Sequence, residues 1–169
     1  ILWLGSNVGN LYRQEAQEFL ESMERLMAPY DRLLVGIDLR KDRDVLERAY
    51  DDARGVTASF NLNLLARINR ELGGRFDLTA FGHRALYNEE EGRVEIYLVS
   101  RKAQAVPVEG LNLVVPFKKG ETIDTEYSFK YSLEEIESLA FGAGLRIERQ
   151  WFDRRRRFSV NLLAPAIET

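Results

Sequence analysis

Cysteine is absent from this chain of 169 residues, and histidine occurs once, as His83. The lack of cysteine excludes disulfide bonds, thiolate nucleophiles and cysteine-ligated zinc, and it fits a reducing compartment. A single histidine excludes metal sites built from several histidines. Adjacent Asp51 and Asp52 would point about 100° apart on a helix, which does not suit a shared ion. We therefore predict no metal site, interpret His83 as structural, and expect the two aspartates to form a solvated helix face with a salt bridge.

A strong net charge and long apolar runs are also missing. The formal net charge is −3, whereas a protein dedicated to nucleic acids needs a basic face. The one basic run, four arginines at 154–157, is interpreted as a solvated hairpin tip. No apolar stretch approaches the roughly 20 residues of a membrane span, and no signal peptide is visible. We expect a cytoplasmic protein that binds neither nucleic acid nor membrane.

The composition is able to bury a core, since 45% of the residues are hydrophobic and 30% are charged. An apolar strand at 2–4 runs into a glycine-bearing loop at 5–10, a helix follows, and a second apolar run occupies 32–38. Strand, helix and strand in succession predict an α/β sheet, which binds small molecules beyond the carboxyl ends of its strands. Because the chain begins within a sheet and without Met, we expect it to be the second part of a larger domain.

Beyond residue 38 the pattern predicts further helices together with antiparallel strands. Two successive helices are expected to end in left-handed caps at Gly55 and Gly73, and a capping box begun by Ser132 predicts another helix. Alternation predicts three strand pairs: 84–88 with 93–101, the strands on either side of 119–121, and 145–152 with 158–164. The predicted architecture is a core formed by 1–41 and 130–169, interrupted by an α+β insertion at 42–129.

Four polar residues suit both a ligand contact and a structural role. Asn10 follows the first loop, where asparagine is a good helix N-cap. Tyr50 lies on a helix, where tyrosine commonly packs. Glu126 and Ser128 leave one face of an alternating strand, so they suit the two nitrogens of an imidazole or, with Lys130, a solvated sheet face.

Six motifs follow one another along nearly the whole chain: 4–10 (LGSNVGN), 38–42 (DLRKD), 49–63 (AYDDARGVTASFNLN), 69–72 (NREL), 76–78 (FDL) and 120–131 (GETIDTEYSFKY). In this order they resemble the histidine Nα-methyltransferase family, the S-adenosylmethionine-dependent enzymes that make trimethylhistidine in ergothioneine biosynthesis. The resemblance implies the C-terminal part of a class I, Rossmann-like methyltransferase sheet with an α+β substrate-binding insertion. It also implies S-adenosylmethionine as cofactor, held mostly by an N-terminal half that this chain lacks.

The resemblance further implies a substrate site and no covalent catalyst. Its residues are Gly5, Asn10, Tyr50, Phe60, Ile96, Glu126, Tyr127 and Ser128. Asn10 and Tyr50 would hold the carboxylate of the amino acid, and Glu126 and Ser128 would face its imidazole. Phe60 and Ile96 would wall the pocket, and Gly5 would let the backbone approach the substrate closely.

The first functional hypothesis is therefore N-methylation of the α-amino group of L-histidine, with this chain as the substrate-binding part and inactive alone. Methyl transfer from a sulfonium to a neutral amine depends chiefly on placing the two groups in line, which needs no metal. The alternatives are methylation of another aromatic amino acid and, from a different class, a non-catalytic remnant or interaction module. The sequence leaves the oligomeric state open.

Overall fold

The computed structural model describes residues 1–166, which form two compact units. The first unit contains Ile1–Asp42, Asn88–Arg93 and the chain from Tyr127 onward, and the second contains Arg43–Tyr87 and Val94–Glu126. In chain order the helices and strands are β1 (Leu2–Trp3), α1 (Arg13–Glu24), β2 (Leu33–Asp38), α2 (Arg43–Tyr50), α3 (Val56–Leu72), β3 (Phe81–Asn88), β4 (Arg93–Ser100), β5 (Gln104–Val108), β6 (Leu113–Phe117), β7 (Thr122–Phe129), α4 (Leu133–Gly142), β8 (Leu145–Phe152) and β9 (Phe158–Pro165).

The first unit is built on a four-stranded sheet in the order β1-β2-β9-β8. Strands β1 and β2 run parallel, with Leu2 opposite Leu34. Strand β9 runs antiparallel to both of its neighbours, so the hairpin predicted at 145–152 and 158–164 is confirmed. Apolar residues of α1 and α4, among them Leu20 and Ile136, pack with those of β2 in one buried cluster. Helix α4 begins with the predicted capping box, because Ser132 and Glu135 exchange hydrogen bonds.

The prediction that Asn10 caps α1 is wrong. Residues Asn7–Asn10 form a short 3₁₀ turn, and α1 begins only at Arg13. The turn is set up by Gly5 and Ser6, whose φ angles of 80° and 60° are left-handed. The backbone reversal therefore takes place earlier than the sequence indicates, and Asn10 is exposed rather than engaged as a cap.

The second unit combines α2 and α3 with strands of two sheets. Strands β3, β4 and β7 form one sheet, and β5 and β6 form an antiparallel pair. Along β4 burial alternates as predicted, with Val94, Ile96 and Leu98 inside. No helix within residues 1–166 has the length and apolar character that crossing a membrane requires.

Two other local predictions fail in this unit. The strands on either side of 119–121 do not pair, because β6 pairs with β5 and β7 lies beside β4. Gly55 is left-handed but stands before α3, since α2 already ends at Tyr50. Gly73 does end α3 in the predicted left-handed cap.

Candidate functional site

The second unit contains a cavity of about 430 Å³. It is lined by Ala49, Tyr50, Thr57, Phe60, Asn61, Asn63, Leu64, Arg67, Ile96, Thr125 and Glu126. Four residues of the predicted substrate site are therefore brought together: Tyr50, Phe60, Ile96 and Glu126. The other four, Gly5, Asn10, Tyr127 and Ser128, belong to the first unit.

Each wall of this cavity comes from a different element. Tyr50 is the last residue of α2, and Phe60 lies on α3 with 75% of its surface exposed. Ile96 on β4 is nearly buried. Glu126 lies on β7, where the Thr125 hydroxyl donates a hydrogen bond of 2.9 Å to the Ile96 carbonyl and ties the strand to β4. The cavity thus offers a large apolar surface and one carboxylate.

Asp52 fixes the start of α3 and with it the position of Phe60. Its carboxylate accepts hydrogen bonds from the backbone N–H groups of Thr57 (2.8 Å) and Val56 (3.1 Å). The Thr57 backbone and hydroxyl, followed by the Val56 N–H, lower the pKa of Asp52 to about 2. The expected helix face with a salt bridge is wrong for Asp52, which serves instead to satisfy two N–H groups at the helix start.

A chain of hydrogen bonds runs behind the cavity wall through two residues that the sequence did not single out as a pair. The buried Asn61 amide donates from Nδ2 to the Tyr97 carbonyl (3.2 Å) and to Nδ1 of His83 (3.1 Å). His83 Nε2 in turn donates to the Tyr50 carbonyl at 2.7 Å. His83 and Asn61 are 22 residues apart in the sequence, and no motif predicts that they are in contact.

In the first unit, the loop after β1 lies against the end of β7. A Cβ atom added to Gly9 would lie only 2.7 Å from the Phe129 carbonyl oxygen, so this contact requires glycine. The loop that carries Asn10 therefore lies beside the strand end that carries Ser128. A Cβ atom added to Gly5 would meet Asn7 Nδ2 at an ordinary contact distance of 4.0 Å, so its glycine is needed for the positive φ rather than for a close approach within the chain.

A buried ionic cluster supports the same strand end. The ammonium of Lys130 donates to the Ser128 hydroxyl at 2.7 Å and lies 3.1 Å from Oδ2 of Asp38. The other carboxylate oxygen of Asp38 pairs with Lys41. The backbone N–H of Asp38 donates a hydrogen bond to the Ser6 hydroxyl. Ser128 and Lys130 are 6% and 1% exposed, so a solvated sheet face is wrong at these two positions.

Tyr127 is the remaining predicted residue of the first unit. The Arg93 guanidinium lies 4.2 Å from the centre of its ring, and the Tyr12 ring meets it edge-on at 5.9 Å.

Among residues 1–166 no group of three or more metal-ligating side chains is positioned to hold an ion.

Solved structures that are similar to this chain include methyltransferases. The CcbJ methyltransferase of Streptomyces caelestis matches with a TM-score of 0.52 at 12% identity, over 98% of this chain and 56% of that one. The fold is that of a class I S-adenosylmethionine-dependent methyltransferase, as the sequence predicts.

Sequence comparison defines the family more narrowly. The family model described as histidine-specific, S-adenosylmethionine-dependent methyltransferase matches residues 1–165, and the chain belongs to this family. The histidine N-alpha-methyltransferase of Mycolicibacterium smegmatis is 46% identical over 96% of this chain and 50% of its own length. The L-tryptophan methyltransferase trpM of Psilocybe serbica is 33% identical over 95% of this chain and 45% of its own length. The chain thus spans about half the length of the curated relatives it matches.

Proposed function

We propose that the protein to which this chain belongs methylates the α-amino group of L-histidine, and that the cavity of the second unit receives the amino acid. The observation that carries the proposal is the meeting of Tyr50, Phe60, Ile96 and Glu126 around one cavity. The family membership and the histidine-methylating relative support histidine as the substrate.

The proposed roles follow from the chemistry of these side chains. The carboxylate of Glu126 accepts a hydrogen bond from an imidazole N–H. Phe60 and Ile96 remove apolar surface of the substrate from water. Tyr50 offers its hydroxyl to the substrate carboxylate, which helps to fix the direction in which the amino group points.

S-Adenosylmethionine supplies an electrophilic methyl group when it is bound. In this chain the carboxylate at the end of β2, on Asp38, is already engaged by Lys41 and Lys130, so it does not suit a ribose. We therefore propose that the nucleotide is held mostly outside this chain and that the chain alone binds the cofactor weakly. Titration calorimetry tests this, and micromolar affinity of the 169-residue chain for S-adenosylmethionine would contradict it.

The experiment for the substrate is Glu126→Ala in the full-length protein. Loss of a hydrogen bond to a charged group in a site costs about 1.5–3 kcal/mol, which lowers kcat/KM for histidine by roughly tenfold to a hundredfold. The KM for S-adenosylmethionine should stay within about twofold of wild type. Glu137→Ala, which removes an exposed carboxylate on α4, is the matched control and should change neither value.

The same assay separates the competing functions. Histidine, phenylalanine and tryptophan are compared in wild type and variant, because a tryptophan-methylating relative makes another aromatic amino acid the second candidate. An unchanged ratio of histidine to phenylalanine use in Glu126→Ala would contradict the role of Glu126, because phenylalanine, unlike tryptophan, has no ring N–H. A wild-type protein that methylates none of the three would favour a non-catalytic module.

A further inference from the structure

The hydrogen bonds around His83 fix both its tautomer and the orientation of the Asn61 amide. The Tyr50 carbonyl only accepts, so Nε2 of His83 carries the hydrogen of their 2.7 Å bond. The Tyr97 carbonyl also only accepts, so the Asn61 NH₂ group must face it and the amide cannot be turned over. The second hydrogen of that NH₂ group then points at Nδ1 of His83, which accepts it.

These hydrogen bonds connect four elements through the side chains of His83 and Asn61. Tyr50 ends α2, Asn61 lies on α3, His83 on β3 and Tyr97 on β4. Tyr50 and Asn61 also line the cavity. Tyr50 is the last residue of α2, and its carbonyl accepts a hydrogen bond from His83.

We propose that His83 is a positioning residue for the amino-acid substrate: it holds the end of α2 through the Tyr50 carbonyl, so that the Tyr50 side chain stands at the wall of the cavity. This proposal rests on the proposed function, since it assumes that Tyr50 contacts the substrate. His83 itself does not line the cavity, so it acts through Tyr50 and not on the substrate.

Two substitutions separate the hydrogen bond of His83 with Tyr50 from its hydrogen bond with Asn61. In His83→Gln the amide nitrogen can reach the former position of Nε2 and donate to Tyr50, whereas in His83→Asn the amide oxygen replaces Nδ1 and keeps only the bond with Asn61. In the full-length protein we expect His83→Asn to raise the KM for histidine about tenfold or more, while His83→Gln stays within about threefold of wild type, because displacement of a substrate contact by about 1 Å costs up to a hundredfold. The KM for S-adenosylmethionine should be unchanged in both.

Asn69→Leu is the matched control for a merely structural role. The Asn69 amide also joins α3 to a neighbouring segment, through two bonds of 2.8 Å with the backbone of Phe76, but Asn69 does not line the cavity. It should lower the melting temperature and leave the KM for histidine within about twofold of wild type. Equal KM values in His83→Gln and His83→Asn, or a KM increase in Asn69→Leu as large as that in His83→Asn, would overturn the proposal.

A measurement on the unmodified protein keeps the test independent of how the variants fold. Nitrogen-15 NMR of the full-length protein, with the His83 signals assigned by their loss in His83→Gln, should show hydrogen on Nε2 and none on Nδ1. A hydrogen on Nδ1 would overturn the proposal. If the wild-type protein does not methylate histidine but the tautomer is as expected, the proposed function fails, and the positioning role is then decided with whichever amino acid the cavity binds.

Discussion

Breaking the buried pair of Asp38 and Lys130 should cost far more stability than breaking an exposed pair of the same residue types. Lys130 is 1% exposed, and its ammonium lies 3.1 Å from the Asp38 carboxylate. Asp38→Asn leaves that ammonium buried against a neutral amide. Removing one partner of a buried ion pair costs about 3–5 kcal/mol. This is a fifth or more of the roughly 5–15 kcal/mol that stabilises a typical domain.

The reverse substitution should be milder, because the charge it leaves behind keeps a partner. In Lys130→Met the Asp38 carboxylate is still paired with Lys41 at 2.5 Å and is 18% exposed. We expect a loss of about 1–3 kcal/mol, chiefly from the Ser128 hydroxyl that loses its buried donor.

Urea unfolding of the full-length protein, followed by circular dichroism, measures both effects. With a slope of about 2 kcal/mol per molar urea, Asp38→Asn should lower the midpoint by about 1.5–2.5 M and Lys130→Met by roughly half as much. The matched control is Lys102→Met, which breaks the pair with Asp77 at 3.3 Å, where both side chains are about half exposed; it should cost no more than about 1 kcal/mol. A midpoint for Asp38→Asn equal to that of the control would refute the reasoning.

Three further changes have expected outcomes. Gly9→Ala places a Cβ atom 2.7 Å from the Phe129 carbonyl, so it should destabilise the protein by about 1–3 kcal/mol in the same urea assay. Ser132→Ala removes the N-cap of α4 and should lower the melting temperature by an amount equivalent to about 1 kcal/mol, measured by thermal unfolding. Asp52 has its pKa lowered from 3.8 to about 2, principally by the Thr57 N–H, so its ionised form stabilises the fold above about pH 4 and this contribution is lost as the pH falls through about 2. The difference in unfolding midpoint between wild type and Asp52→Asn should therefore shrink between pH 4 and pH 2, and a constant difference would contradict the assignment.

The parts of the fold that the sequence predicted are those decided by local chemistry. The capping box at Ser132, the left-handed cap at Gly73 and the β8–β9 hairpin depend on residues within a few positions of one another. The assignment of 1–41 and 130–169 to the core stays a prediction; the first unit of the structure contains Ile1–Asp42, Asn88–Arg93 and the chain from Tyr127 onward.

The failures concern partners that lie far apart in the chain. No strand is predicted at Gln104–Val108, where the structure has β5. Without β5, the following strand β6 was paired with the next strand along the chain. Period-two alternation identifies strands but carries no information about which strands become neighbours.

In the candidate site, too, the local pattern is informative, whereas contacts between residues far apart in the chain are not predicted. Alternation along β7 put Glu126 and Ser128 on one face, but the pattern gave no sign that Lys130 is buried, because its partner Asp38 is on another strand. Likewise, the single histidine was interpreted as structural, and only its contacts with Asn61 and Tyr50 connect it to the cavity. Whether a polar side chain can be buried in a core depends on its hydrogen-bond partners, and the tertiary fold supplies these partners.

If the cavity receives histidine as we propose, its discrimination against phenylalanine depends on the polar residues of the site rather than on its apolar walls. Phe60 and Ile96 provide contact area, and apolar contacts that differ by a methylene discriminate by only about 10- to 200-fold. A site built to hydrogen-bond a ring nitrogen rejects analogues without that group by about 10⁴- to 10⁵-fold, because its buried polar groups are then left without partners. The cavity of about 430 Å³ is wide enough for an imidazole or an indole. Glu126→Ala should consequently lower the preference for histidine over phenylalanine, whereas Phe60→Leu should lower kcat/KM for both to a similar degree.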